Sequence, residues 1–176
     1  MITSLPLRDT YLSQRTICWL IPILLTVHNA EEAIAFRMMH AHSASLLPSP
    51  FGALEARLSP AVVLQALTIL SVLAFAIAAV VAVRPRSRVA LWLLLALEAA
   101  IGINAAAHVA SALLLFHGYG PGLVSAVLIN APFAVYVFRR AGREAWIGRF
   151  AWRMLPVGGI VLHGPVLLGA LWLAAR

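Results

Sequence analysis

Residues 16–36 read TICWLIPILLTVHNAEEAIAF. The stretch is apolar almost without break as far as Val27, then carries His28, Asn29, Glu31 and Glu32 before closing on Ala33 to Phe36. A bilayer core takes about 20 mostly apolar residues per helix, so this run reads as a spanning helix. Ionisable groups inside such a span cost roughly 2.5–3.5 kcal/mol each on insertion scales, so where they persist they mark function. Working outward, the same reading applies five times: about 16–39, 60–83, 89–116, 121–138 and 154–175. The fold class expected is all-α, an integral membrane bundle of five transmembrane helices forming one domain over residues 1–176. The longest connection carries Pro48, Pro50 and Gly52, with a short surface helix expected around Leu54 to Leu58.

Composition agrees. Hydrophobic residues make up 62% of the 176 and charged residues 11%, far from the balance of a water-soluble domain. All 13 basic residues are arginine, and the formal net charge is +7. They fall in short loops between apolar runs, so they read as topology signals and contacts to anionic lipid, and nucleic acid is not expected as a partner. Arg84, Arg86 and Arg88 lie in one such loop, and Arg139, Arg140, Arg143, Arg149 and Arg153 in another. The positive-inside rule puts both loops inside, hence the N-terminus inside and the C-terminus outside. Arg37 and Arg57 fall on the other side, a minority. Pro22, His28 and two acids interrupt the first run, which is therefore read as a retained helix rather than a cleaved signal. Cys18, the lone cysteine, permits no intrachain disulfide and reads as a buried thiol.

Helices one, three and five run the same way, so residue counts compare depths. His28 lies eight residues before Phe36, His108 eight before Phe116, and His163 nine before Trp172. With those aromatics at the outer interface, all three imidazoles sit roughly 12–14 Å below one surface. His28, Glu31 and Glu32, spaced i, i+3 and i+4, share one helix face. An imidazole and a carboxylate one turn apart can reach a single ion. Two carboxylates in low dielectric can instead divide into an acid and a base. On the third helix Asn104 and His108 face the same way, and Glu98 lies about 15 Å deeper. On the fourth, Asn130 falls near the histidine level and is expected behind the ligands. Next to His163 stand Gly158, Gly159, Gly164 and Pro165, which suit a close helix crossing and a freed carbonyl. His40, His42 and His117 lie in or beside loops and read as solvated.

The chain resembles the HXXEE-motif family of small bacterial membrane proteins, whose function is unknown. His28 to Glu32 matches the motif of the family's name, His108 with Asn104 its further histidine, and Tyr119-Gly120-Pro121-Gly122 its Tyr-x-Pro-Gly. The resemblance nominates His28, Glu31, Glu32, His108, Tyr119, Pro121 and Gly122, and implies a multi-pass protein of the bacterial cytoplasmic membrane. Pro121 and Gly122 make a tight entry into the fourth helix. Tyr119 then stands at the outer interface, as a belt aromatic or as a phenol over the site.

The first functional reading is an intramembrane enzyme with a divalent metal, zinc or else iron or manganese, held by His28, Glu31, Glu32, His108 and His163. Mixed imidazole and carboxylate ligands suit those metals. Its substrate would be lipidic, isoprenoid or quinone-like, and the reaction hydrolysis or oxidation. A second reading drops the metal and uses His28 with Glu31 or Glu32 as acid and base, assisted by Tyr119, in an isoprenoid isomerase or cyclase. A third is a transporter or proton conduit, against which the crowding of polar groups at one depth counts. Pairing of bundles into a homo-oligomer is compatible with all three.

Overall fold

The computed structural model describes residues 12–46 and 58–176. These are all-helical, with no strand among them. Six helices follow in order: α1 (Gln14–Leu46), α2 (Pro60–Val83), α3 (Arg88–Phe116), α4 (Leu123–Arg143), the single-turn α5 (Arg149–Arg153) and α6 (Leu155–Ala174). All but α5 are long and apolar enough to cross a membrane. The surface helix expected around Leu54 to Leu58 falls almost wholly outside the described residues.

Local chemistry sets the helix starts. Ser59 caps α2, its hydroxyl accepting the Val62 N–H at 3.3 Å with Pro60 in the first position, and Ser87 caps α3 through Ala90 N–H at 3.3 Å. Both satisfy amide groups that a helix start leaves without partners. α1 runs past Phe36 because Arg37 to Ser45 contain no proline or glycine to stop it. α4 starts at Leu123, since Gly122 turns into the left-handed region at φ 76°, and it continues beyond Phe138 through the arginines. Three turns widen to π geometry: Ala112–Phe116, Ala126–Asn130 and Leu162–Val166. Pro132 follows the second and Pro165 lies in the third, where a missing N–H frees a carbonyl that i→i+5 bonding can re-partner.

α3 is the central helix, packed on α2, α4 and α6, with α1 closing the ring between α2 and α4. The α3–α6 crossing is close because Gly158 and Gly159 face it. A Cβ at either would stand 2.9 Å from the Cβ of Ala96 or Ala99. The main apolar core joins Ile17 and Ile21 of α1, Leu94 and Leu95 of α3 and Val137 of α4. It fills the half of the bundle that carries the arginine loops. Large apolar side chains also cover the exterior, among them Val72, Leu113, Leu114 and Leu128, each at least 63% exposed. The polar residues gather in the other half, just past the end of that core.

Candidate functional site

His28 is fully buried one turn beyond Leu25, the last residue of α1 in the main apolar core. Its Nδ1 lies 2.8 Å from Ser125 Oγ, and its Nε2 2.8 Å from Asn104 Nδ2 and 3.6 Å from Glu32 Oε2. His108 stacks edge-on against it, ring centroids 5.0 Å apart, and its Nε2 stands 3.9 Å from the same Glu32 oxygen. One ligand atom from each of His28, Glu32 and His108 fits within 4.8 Å of the others. Tetrahedral ligands about 2.1 Å from one ion stand about 3.4 Å apart, so the trio is near ion-binding spacing.

The protons on these rings follow from their partners. The Ser125 hydroxyl has one hydrogen and donates it to the Glu31 carboxylate. His28 Nδ1–H must then donate to Ser125 Oγ, which leaves the Nε2 lone pair facing Asn104 and Glu32. His108 hydrogen-bonds the Pro121 carbonyl, and its buried Nε2 has no partner among the described residues. A proline offers no N–H, so His108 Nδ1 is the donor and its Nε2 lone pair accepts no hydrogen bond among the described residues, whereas the Nε2 lone pair of His28 accepts from Asn104 Nδ2. Both imidazoles are therefore fixed from behind with Nε2 turned towards Glu32, the way metal-binding histidines are held.

Glu31 stands beside that cluster with its own set of partners, linked to His28 through the Ser125 hydroxyl. Its carboxylate accepts from Val124 N–H at 3.1 Å, Ser125 N–H at 2.7 Å, the Ser125 hydroxyl and Tyr119 O–H at 3.1 Å. Val124 and Ser125 are the second and third residues of α4, so Glu31 of α1 caps the start of another helix. Tyr119, 45% exposed, holds this cap from above, and partial burial with the Glu31 carboxylate beside it raises its phenol pKa. Gly122 lies directly beneath the rings: a Cβ there would meet His108 Cε1 at 2.8 Å and His28 Cε1 at 2.9 Å. The Tyr-x-Pro-Gly turn thus builds the wall of the site through Tyr119, Pro121 and Gly122.

The remaining candidates divide. Asn104 is in the site, bonded to His28. His163 lines a cavity of about 90 Å³ with Glu32, Asn104 and Asn29, beside the trio and outside its ligand spacing. Asn130 is buried, with neither side-chain atom partnered among the described residues, and makes no bond to the trio. Glu98 lies in the apolar half, 1% exposed, also without a partner among the described residues. Ser125 and Asn29 also serve the site and carry little signal in the sequence. Ser125 follows the Gly122 turn by three residues, an ordinary position for a serine. Asn29 sits inside the motif stretch and ties α1 to α2 through Leu67 O at 3.1 Å and Ser71 Oγ at 2.9 Å.

Two cavities meet at Glu32. The smaller lies towards the core, floored by Leu25, Leu67, Leu70, Ile77 and Ile101. The larger, about 390 Å³, runs towards the helix ends past Phe36, Val63, Leu115, Phe116 and Leu171. Glu32 is the one acid among the described residues that line either of them.

The family described as "Protein of unknown function with HXXEE motif" matches residues 19–137. The chain belongs to the HXXEE family. The match takes in α1 to α4 and with them His28, Glu31, Glu32, Asn104, His108, the Tyr119 turn and Ser125; His163 lies beyond it. No curated protein and no solved structure matches the chain.

Proposed function

We propose that this HXXEE protein is a multi-pass membrane enzyme whose His28, Glu32 and His108 bind one divalent metal, zinc or else iron or manganese, next to a lipidic, isoprenoid or quinone-like substrate. The observation that carries this is the pair of pre-set imidazoles, each with its Nδ1–H held and its Nε2 directed at one carboxylate. Two histidines and a glutamate leave ion positions open, as catalytic sites do. His163 lines the inner cavity, where it would meet a ligand bound there. When bound, the metal would polarise a carbonyl or lower the pKa of a water, which suits hydrolysis; a redox metal would suit oxidation. The apolar cavities on either side of Glu32 favour a substrate drawn from the bilayer. The arginine-rich loops favour an orientation with those loops inside, in a bacterial cytoplasmic membrane.

One observation favours a metal-free second reading. The chain from Glu31 through the Ser125 hydroxyl to His28 Nδ1 would serve an acid–base isomerase or cyclase equally well. Elemental mass spectrometry of detergent-purified protein separates the two. Near-stoichiometric metal in the wild type, lost in His28→Ala and His108→Ala, is expected. Metal-free protein from metal-replete cells would remove the metal reading and leave the acid–base one.

A further inference from the structure

α2 and α6 touch at one end and part at the other. They meet through Ala66, Ala170 and Ala174, all buried. Further along, α2 packs on the Leu167–Ala174 segment of α6, while the Leu155–Val166 segment leans on α3 instead. The cavity of about 90 Å³ beside Glu32 lies in the gap that this leaves. Leu70 and Ile77 of α2 form one wall, Leu162 and Val166 of α6 the other, and Ala100 and Ile101 of α3 the back. The four wall residues are half-buried and Leu73 beside them is 40% exposed, so the gap reaches the outside of the described bundle. In a bilayer that side faces hydrocarbon.

The lining runs from Leu67 to Ile77 on α2, about 15 Å, and from Leu97 to Asn104 on α3, about 10 Å. So small a volume over that length is a slot one hydrocarbon chain wide. Polarity is confined to the end that meets the site, where Asn29 and Glu32 of α1 and Asn104 of α3 stand, joined by His163 from α6. Asn104 donates to His28 Nε2, which leaves its carbonyl oxygen to accept, and an imidazole can donate or accept. A hydroxyl or carbonyl finds hydrogen-bond partners there. A phosphate would have to leave water for a slot with no guanidinium or ammonium among the described residues that line it.

We propose that this slot is a lateral entrance and binding site for one long hydrocarbon chain. The chain slides in from the bilayer between α2 and α6 and sets a hydroxyl or carbonyl at its end beside Asn104, His163 and Glu32. The proposal deepens the enzyme reading and rests on it for the reaction at Glu32, while the binding itself needs no metal.

The test is photolabelling of the full chain in lipid vesicles, after treatment with a chelator, by hexadecanol carrying a diazirine at mid-chain. Mass spectrometry of the adducts should place them on Leu70 to Ile77 and Leu162 to Leu167, above the level at an exposed position such as Leu128. Unlabelled hexadecanol should suppress them at about tenfold lower membrane concentration than hexadecyl phosphate. Val166→Trp, or Leu70→Trp from the facing wall, should fill the slot and remove them. Leu168→Trp, on the exposed side of α6, should leave them in place. Adducts spread evenly over the exposed apolar positions would overturn the proposal. So would equal suppression by the two competitors, or adducts unchanged in both slot variants. Metal content is read on untreated samples of the same protein: a metal-free protein that keeps the labelled slot removes the metal reading alone, and a metal-loaded protein without it removes this proposal alone.

Discussion

Glu31 and Glu32 are neighbours in sequence and do different work. Glu32 shares its oxygen with two histidines at 3.6 and 3.9 Å, while Glu31 holds the first turn of α4. Single glutamine substitutions should separate them. Glu32→Gln is expected to empty the proposed metal site with little change in the melting of the metal-free protein, because its carboxylate faces a cavity. Glu31→Gln should retain metal at saturation and melt earlier, having weakened charge-assisted bonds to a helix start worth about 1–3 kcal/mol. Metal content and melting of both proteins decide the matter. Metal loss from Glu31→Gln alone would reverse the assignment. The sequence could not make it, since i+3 and i+4 straddle the face of His28 and both lie within reach. Nor could it single out Ser125, whose role depends on α4 meeting α1.

At the scale of the element, the start of α4 and the wall of the site are one piece of backbone. Gly122 is the residue where they coincide. Its φ of 76° disfavours any side chain, and the space a Cβ would need is filled by both imidazoles. Gly122→Ala should therefore cost about 1–3 kcal/mol of stability and displace both Nε2 atoms together, read as a lower melting point with reduced metal content. Gly169→Ala is the control: it lies within α6 with nothing among the described residues within 4 Å of the new methyl, so neither reading should fall. A Gly122→Ala protein with wild-type melting and metal content would refute the wall role. The five long helices were legible because apolar runs of this length have few other readings. The tight turn at Pro121-Gly122 was legible from residue type. The widened turns were less so: a proline predicts a disturbed bond but not that the disturbance becomes a π turn, and Ala112–Phe116 contains no proline at all.

Across the whole molecule, packing and chemistry are divided between the two halves of the bundle. The half with the arginine loops is close-packed by Ile17, Ile21, Leu94, Leu95 and Val137, and the other half holds the polar groups and cavities. Equal counts to the terminal aromatics put His28, His108 and His163 at one depth, since helices running in the same direction share one depth scale, and the rings of His28 and His108 lie 5.0 Å apart. The counts could not give azimuth, which is why His163 shares a cavity with Glu32 but not the ligand spacing. Glu98 is the exception to the division, a carboxyl inside the packed half about 15 Å along α3 from His108. Burying a polar group without a partner costs about 1–3 kcal/mol. Neither Glu98 oxygen has one among the described residues. Methionine occupies a similar volume and carries no such cost, so Glu98→Met should raise the melting temperature by about 2–4 °C and leave metal content unchanged. A melting temperature that falls instead would mean that the carboxyl is satisfied by a bound water or ion and helps hold α3 in place. Loss of metal would tie the packed half to the site through α3, and Glu98 would then belong to the chemistry at Glu32.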